Sequence, residues 1–178
     1  MAIFKDDSNF KLRGLFQVKL KNTKTGKEVL LDEENLVVSQ ARTLMRDLVA
    51  DVSDTRIKRI QIGDLNKDLS DSLSNCPDPE YSDSSLTNAF FSKDFESRET
   101  ITYDDRPAIK YTFVINEDEA NDSSNNDNER KLWCEYALIS TTTDSDGNEE
   151  DGKIWNRKIK PIIKDDETIV TVYWIFIF

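Results

Sequence analysis

The sequence predicts a mainly β protein, an antiparallel β-sandwich or jelly-roll-like fold with one amphipathic α-helix over about residues 39–50. Apolar residues alternate with period two in most segments outside three acidic stretches, and turn residues punctuate them at sandwich-like intervals. Only one stretch breaks that rhythm with helical spacing. Roughly seven or eight strands on this count favour a sandwich.

In chain order, residues 1–13 read as a flexible N-terminal arm on a single β-rich domain, 1–178. Phe16, Val18 and Leu20 alternate with Gln17 and Lys19, the turn NTKTGK follows, and Glu28 to Leu31 return as the second half of a hairpin. After Ser39, read as an N-cap, Ala41, Leu44, Met45, Leu48 and Val49 fall on one stripe of a helix. Ile60 and Ile62 alternate with Arg59 and Gln61. Phe95 to Tyr103 and Ile109 to Ile115 form the clearest hairpin, joined by Asp104-Asp105-Arg106-Pro107, with Ile109, Tyr111, Phe113 and Ile115 on one face. Trp133 to Thr141, Lys153 to Lys160 and Thr168 to Phe178 complete the strands.

The 178 residues include 24 Lys and Arg, 35 Asp and Glu and no histidine, for a net charge of −11. The negative charge is concentrated in residues 64–83, 117–130 and 144–152, rich in Asp, Asn, Ser and Gly, which read as solvated loops on a mildly basic framework. An acidic whole makes nucleic acid an unfavourable partner. Absence of histidine removes the usual general base and the commonest zinc ligand, so no catalytic residue, metal or cofactor is assigned. The tip DSDGNEED begins like a calcium loop, with Asp144, Asp146 and Asn148 in place, but the register fails at Gly147, Glu149 and Trp155. A carboxylate glycosidase remains a formal alternative, although nothing singles out one acid pair. No apolar run is long enough for a bilayer span. The two thiols, Cys76 in a polar loop and Cys134 in an apolar strand, point to a reducing site of synthesis rather than a disulfide framework.

The terminal stretch IVTVYWIFIF is apolar on both faces, with Ile169, Tyr173, Ile175 and Ile177 on one and Val170, Val172, Trp174, Phe176 and Phe178 on the other. A helix, a loop or another subunit must cover the second face. Tyr173, Trp174, Phe176 and Phe178, followed by Phe90 and Phe91, are therefore the candidate assembly residues. Trp133, Trp155 and Tyr81 are candidates for stacking on a glycan. Lys158, Lys160 and Lys164 flank the terminal strand and are expected to meet acidic loops of a neighbouring subunit.

One order of short motifs stands out. The helix is followed by Ile60-Gln61-Ile62-Gly63-Asp64, Leu86-Thr87-Asn88, Glu119-Ala120-Asn121, Glu135-Tyr136-Ala137-Leu138, Trp155-Asn156-Arg157 with Pro161 and Lys164, and the terminal TVYWIFIF. Over about residues 37–178 this order resembles small structural proteins of tailed bacteriophages, in particular the attachment domains of tail-collar and tail-fibre proteins and related baseplate pieces. The resemblance implies a non-enzymatic virion subunit, homo-oligomeric, assembled in the host cytoplasm and partnered by other virion proteins in the tail, collar, neck or baseplate. The acidic loops are longer than the resemblance leads one to expect. No shaft follows the terminal strand, which suits an adaptor or fibre-attachment role. A glycan-binding module and a capsid decoration protein are the alternatives.

Overall fold

In the computed structural model, residues 12–50, 56–71, 76–121, 130–143, 145–146 and 148–178 are described. Nine strands and one helix follow in the order β1 (Arg13–Asn22), β2 (Glu28–Val37), α1 (Ser39–Val49), β3 (Ile57–Gly63), β4 (Ala89–Asp94), β5 (Ser97–Tyr103), β6 (Arg106–Ile115), β7 (Lys131–Thr143), β8 (Glu149–Lys164) and β9 (Thr168–Ile177). The class is the expected one, antiparallel β with a single helix. All nine strands belong to one sheet in the order β4-β3-β7-β8-β2-β1-β9-β6-β5, curled into a half-barrel. β4, around Phe90 and Phe91, is a strand that the period-two reading left out.

The curl brings two halves of the sheet face to face. β2 pairs with β1 from Glu28 to Asn35 and with β8 only through Leu36–Arg157 and Val37–Asn156, so it serves both halves. Phe16 and Val18 of β1, Phe113 and Ile115 of β6, and Val170, Val172 and Trp174 of β9 meet Ile60 and Ile62 of β3 and Trp133, Tyr136 and Leu138 of β7 in one core. The Phe16 ring spans the gap, 5.0 Å from Tyr136 and 5.0 Å edge-on to Trp174. Such ring pairs add to the burial that drives collapse.

Local chemistry explains the turns. Gly26 takes a positive φ in the first hairpin, where the Asn22 side chain accepts from the Thr25 N–H at 2.8 Å. Asp104 and Asp105, both at positive φ, make a two-residue turn between β5 and β6, tighter than the four-residue link expected. The acidic 144–152 stretch is also shorter as a loop, because β8 already begins at Glu149. Residues 72–75, 122–129, 144 and 147 of the expected loops, and 1–11 of the expected arm, lie outside the described residues, while Arg13 already belongs to β1.

Ser39 is not the helix cap. Val38 occupies that position without a side-chain bond, and the Ser39 N–H is satisfied by the Tyr81 carbonyl at 2.8 Å. A distant loop thus does what a capping side chain would do. Ala41 and Leu44 reach the core, whereas Leu48 and Val49, at the end of the same stripe, are 45% and 88% exposed.

The second face of β9 is covered from within the sheet. Ile175 and Ile177 are buried beside their cross-strand neighbours Leu15 and Ala108, with Ile101 and Tyr103 packed on them. Tyr173 is half-buried under the Lys110 ammonium, 5.7 Å from its ring centre.

Candidate functional site

Three features could carry function: an apolar cleft, a buried ionic node and a cradled lysine. The cleft, about 350 Å³, opens between the end of α1 and strands β6, β8 and β9. Met45, Leu48, Ile109, Trp155, Phe176 and Phe178 line it, and the exposed Arg56 and Arg98 add positive charge. Trp155 stands edge-on to Phe176 at 6.2 Å, and its buried indole N–H has no hydrogen-bond partner. Tyr111 also lines the cleft. Burial raises its phenol above the ordinary value, opposed by the nearby charge of Arg98, so it stays neutral. An apolar cavity edged by guanidinium groups is suited to an apolar side chain accompanied by a carboxylate.

The ionic node joins four of the motif segments, through Asp64, Asn88, Glu135 and Arg157. Arg157 Nη2 lies 2.6 Å from Glu135 Oε2, and its Nη1 lies 2.7 Å from an Asp83 oxygen. Burial disfavours the Arg157 charge, but hydrogen bonds to Asp83 and Glu135 outweigh that and hold its pKa above the usual value. Glu135 Oε1 accepts from the Asn88 N–H at 2.9 Å, while Asn88 Nδ2 donates to Asp64 at 2.7 Å. Asp64 also receives Lys131 Nζ at 2.8 Å and the Asn66 N–H at 2.9 Å. Burial would raise the Asp64 carboxyl, and these donors lower it instead. Gly63 permits the close approach, since a Cβ there would sit 2.6 Å from both Asn88 O and Glu135 Oε1.

The fully buried Lys164 donates to Glu117 O at 2.9 Å, Asn121 Oδ1 at 2.9 Å and Asp165 O at 2.8 Å. Burial brings its pKa down to about 8 despite the surrounding acids. Trp133 Nε1 donates to Ala120 O at 3.0 Å in the same turn. Asn156, its amide orientation assigned from its partners, accepts from Trp174 Nε1 at 3.0 Å and Asn35 Nδ2 at 2.8 Å. In both the node and this cradle, the motif residues tie loops to strands.

The structure separates the sequence-predicted residues. Trp174 is wholly in the core, while Phe176, although nearly buried, and Phe178 line the cleft. Phe90 and Phe91 are half-buried against the core, with Lys131 Nζ 4.8 Å above the Phe90 ring. Trp133 and Trp155 are buried, so the glycan platform retains only Tyr81, 49% exposed with the Arg42 guanidinium 5.8 Å from its ring.

Lys158, Lys160 and Lys164 do not reach out to a neighbour. Lys158 lies 2.7 Å from Glu33, Lys160 pairs with the same carboxylate, and Lys164 is cradled in the core. Glu33 of β2 thus satisfies Lys158 and Lys160 of β8 within the chain; burial alone would raise its carboxyl, and the two ammonium groups lower it. Acidic Glu149 and Asp151 likewise meet Arg59 of β3, at 3.2 and 3.3 Å.

Leu48 and Val49, which sequence reasoning placed on the helix stripe packed against the sheet, are instead exposed at the cleft. Their position in the last helical turn, before the acid-flanked DVSD, was the available signal. Among the described residues no group of three or more His, Cys, Asp or Glu could hold a metal, and no helix is long and apolar enough to cross a membrane. No family model, no curated protein and no solved structure matches this chain.

Proposed function

We propose that this protein is a non-enzymatic structural subunit of a phage virion that makes protein–protein contacts in the tail, collar, neck or baseplate, as an adaptor or fibre-attachment module. The observation that carries this reading is the apolar cleft with Leu48 and Val49 exposed beside it. Apolar side chains gathered at one place on a surface favour burial against another protein. The motif order from Gly63-Asp64 to the terminal strand supports the choice of assembly, and the lack of histidine supports a role without acid–base chemistry.

Quantitative mass spectrometry of purified virions tests it, with a fixed copy number per particle expected. Light scattering on the isolated protein, beside a Leu48→Glu, Val49→Glu variant, tests the surface: the wild type self-associates or binds a virion partner, and the variant loses that binding at least tenfold. Absence from particles, or a monomer that binds glycans tightly, overturns the reading.

A further inference from the structure

The polar side chains that line the apolar cleft are of one kind. They are Arg56, Arg98, Tyr111 and Trp155, and only the Tyr111 hydroxyl among them can accept a hydrogen bond. Arg56 and Arg98 are exposed at its edge, and among the described residues neither meets a carboxylate. The contrast with other arginines is sharp, since Arg13, Arg46, Arg59 and Arg157 each pair with an acid of this chain. Trp155 adds an indole N–H that lacks an acceptor. A group that only accepts is the complement of this set, and a carboxylate is such a group.

The apolar part of the cleft is largely aromatic. Phe176 is met edge-on by Trp155 at 6.2 Å and by Tyr111 at 6.4 Å, and the flexible Met45 side chain lies on the helix side. Another ring can extend such a cluster. The apolar lining then continues out of the cleft onto Leu48 and Val49, 45% and 88% exposed. A small molecule sunk in the cleft would leave Val49 in water, whereas a length of polypeptide covers both.

We propose that the cleft receives an acidic segment of another protein, which inserts an aromatic side chain between α1 and β9 and lays a flanking carboxylate on Arg56 and Arg98. The ring is the anchor and the charges at the edge orient it. Because the chain as a whole carries −11, an acidic segment is repelled over most of the surface and attracted here, which confines it to this place. The inference rests on the reading of the cleft as a protein contact and names its occupant; it does not depend on the virion.

The test selects displayed random peptides on the full-length protein. The enriched sequences are expected to carry Phe, Tyr or Trp with Asp or Glu close by. The strongest, synthesised with a fluorescent label, should bind an Arg56→Gln, Arg98→Gln variant about tenfold or more weakly than wild type, and lose affinity as salt rises. Both substitutions are at exposed positions, and an unchanged Tm verifies that the variant is folded. Leu48→Glu should weaken the same peptide, as should Ala in place of its aromatic residue. A selection that enriches nothing, or enriches basic or purely aliphatic peptides, overturns the proposal. So does binding that the double variant leaves unchanged, or native mass spectrometry showing a small lipid-like molecule held by the purified protein that the peptide cannot displace. Absence of the protein from virions would remove the virion reading and leave this binding result standing, while failed selection on a protein found in virions would do the reverse.

Discussion

Arg157 and Glu135 form a buried ion pair, Nη2 to Oε2 at 2.6 Å, on neighbouring strands β8 and β7. The pair is less a source of net stability than a device for holding loops in register. Desolvating two charges offsets much of their attraction, and what remains specific is the geometry they impose on Asp83, Thr87 and Asn88.

Removing one partner exposes that cost. Arg157→Ala leaves Glu135 charged and buried, and should lower stability by about 3–5 kcal/mol in urea unfolding. A loss under about 1 kcal/mol would show that water replaces the guanidinium at no penalty.

Gly63→Ala probes the same node from the backbone. Its Cβ would lie 2.6 Å from Asn88 O and Glu135 Oε1, so strand or loop must shift. A destabilisation of about 1–3 kcal/mol is expected, measured as a fall in the urea midpoint, and an unchanged midpoint would mean that β3 and β4 separate freely.

Lys164 makes stability depend on alkaline pH. Its folded pKa of about 8 lies below the ordinary 10.5, so the unfolded chain binds more protons between those values, and this contribution rises with pH across that window. Cys134, raised from 9.0 to about 12, acts oppositely from pH 9 upward. The informative measurement is therefore a difference. Wild type should gain on Lys164→Met between pH 7 and 10, and a constant gap would contradict the assignment.

At acid pH the sign is set by Asp64. Its folded carboxyl lies below the ordinary 3.8, so the stability it contributes is present above that value and lost as pH falls through the folded pKa. Urea midpoints at pH 6 and pH 3 should fall further for wild type than for Asp64→Asn.

The Glu33 pairs are partly exposed and correspondingly weak. Replacing both Lys158 and Lys160 by Ser should change stability by under about 1 kcal/mol, with the difference shrinking in high salt. A larger, salt-insensitive loss would show that β2 depends on them.

Much of the fold was legible because it is local. Alternation along Ile109, Tyr111, Phe113 and Ile115 and the stripe from Ala41 to Met45 report directly which side chains face the core. Ladder partners were not legible. That β1 lies between β2 and β9 depends on which long-range closure buries most surface, and no short window records that. The same limit applied to the site. Ser39 looked like a cap because a side chain can be seen in sequence, whereas the Tyr81 carbonyl that replaces it cannot. The apolar end strand left cover from within the chain and an interface equally open, and its outer face packs with Leu15 of β1 and Ala108 of β6, strands that lie far from it in sequence.

Among the described residues, the two pairings of β2 with β8, Leu36–Arg157 and Val37–Asn156, are the only ladder rungs joining the two halves of the sheet. That makes the join a crease. Of the two rungs, Leu36 stands opposite the arginine of the ionic node, and α1 begins two positions beyond Val37. A partner gripping Leu48 and Val49 would therefore pull on the crease itself, making α1 the lever of the molecule and Arg157 its rivet.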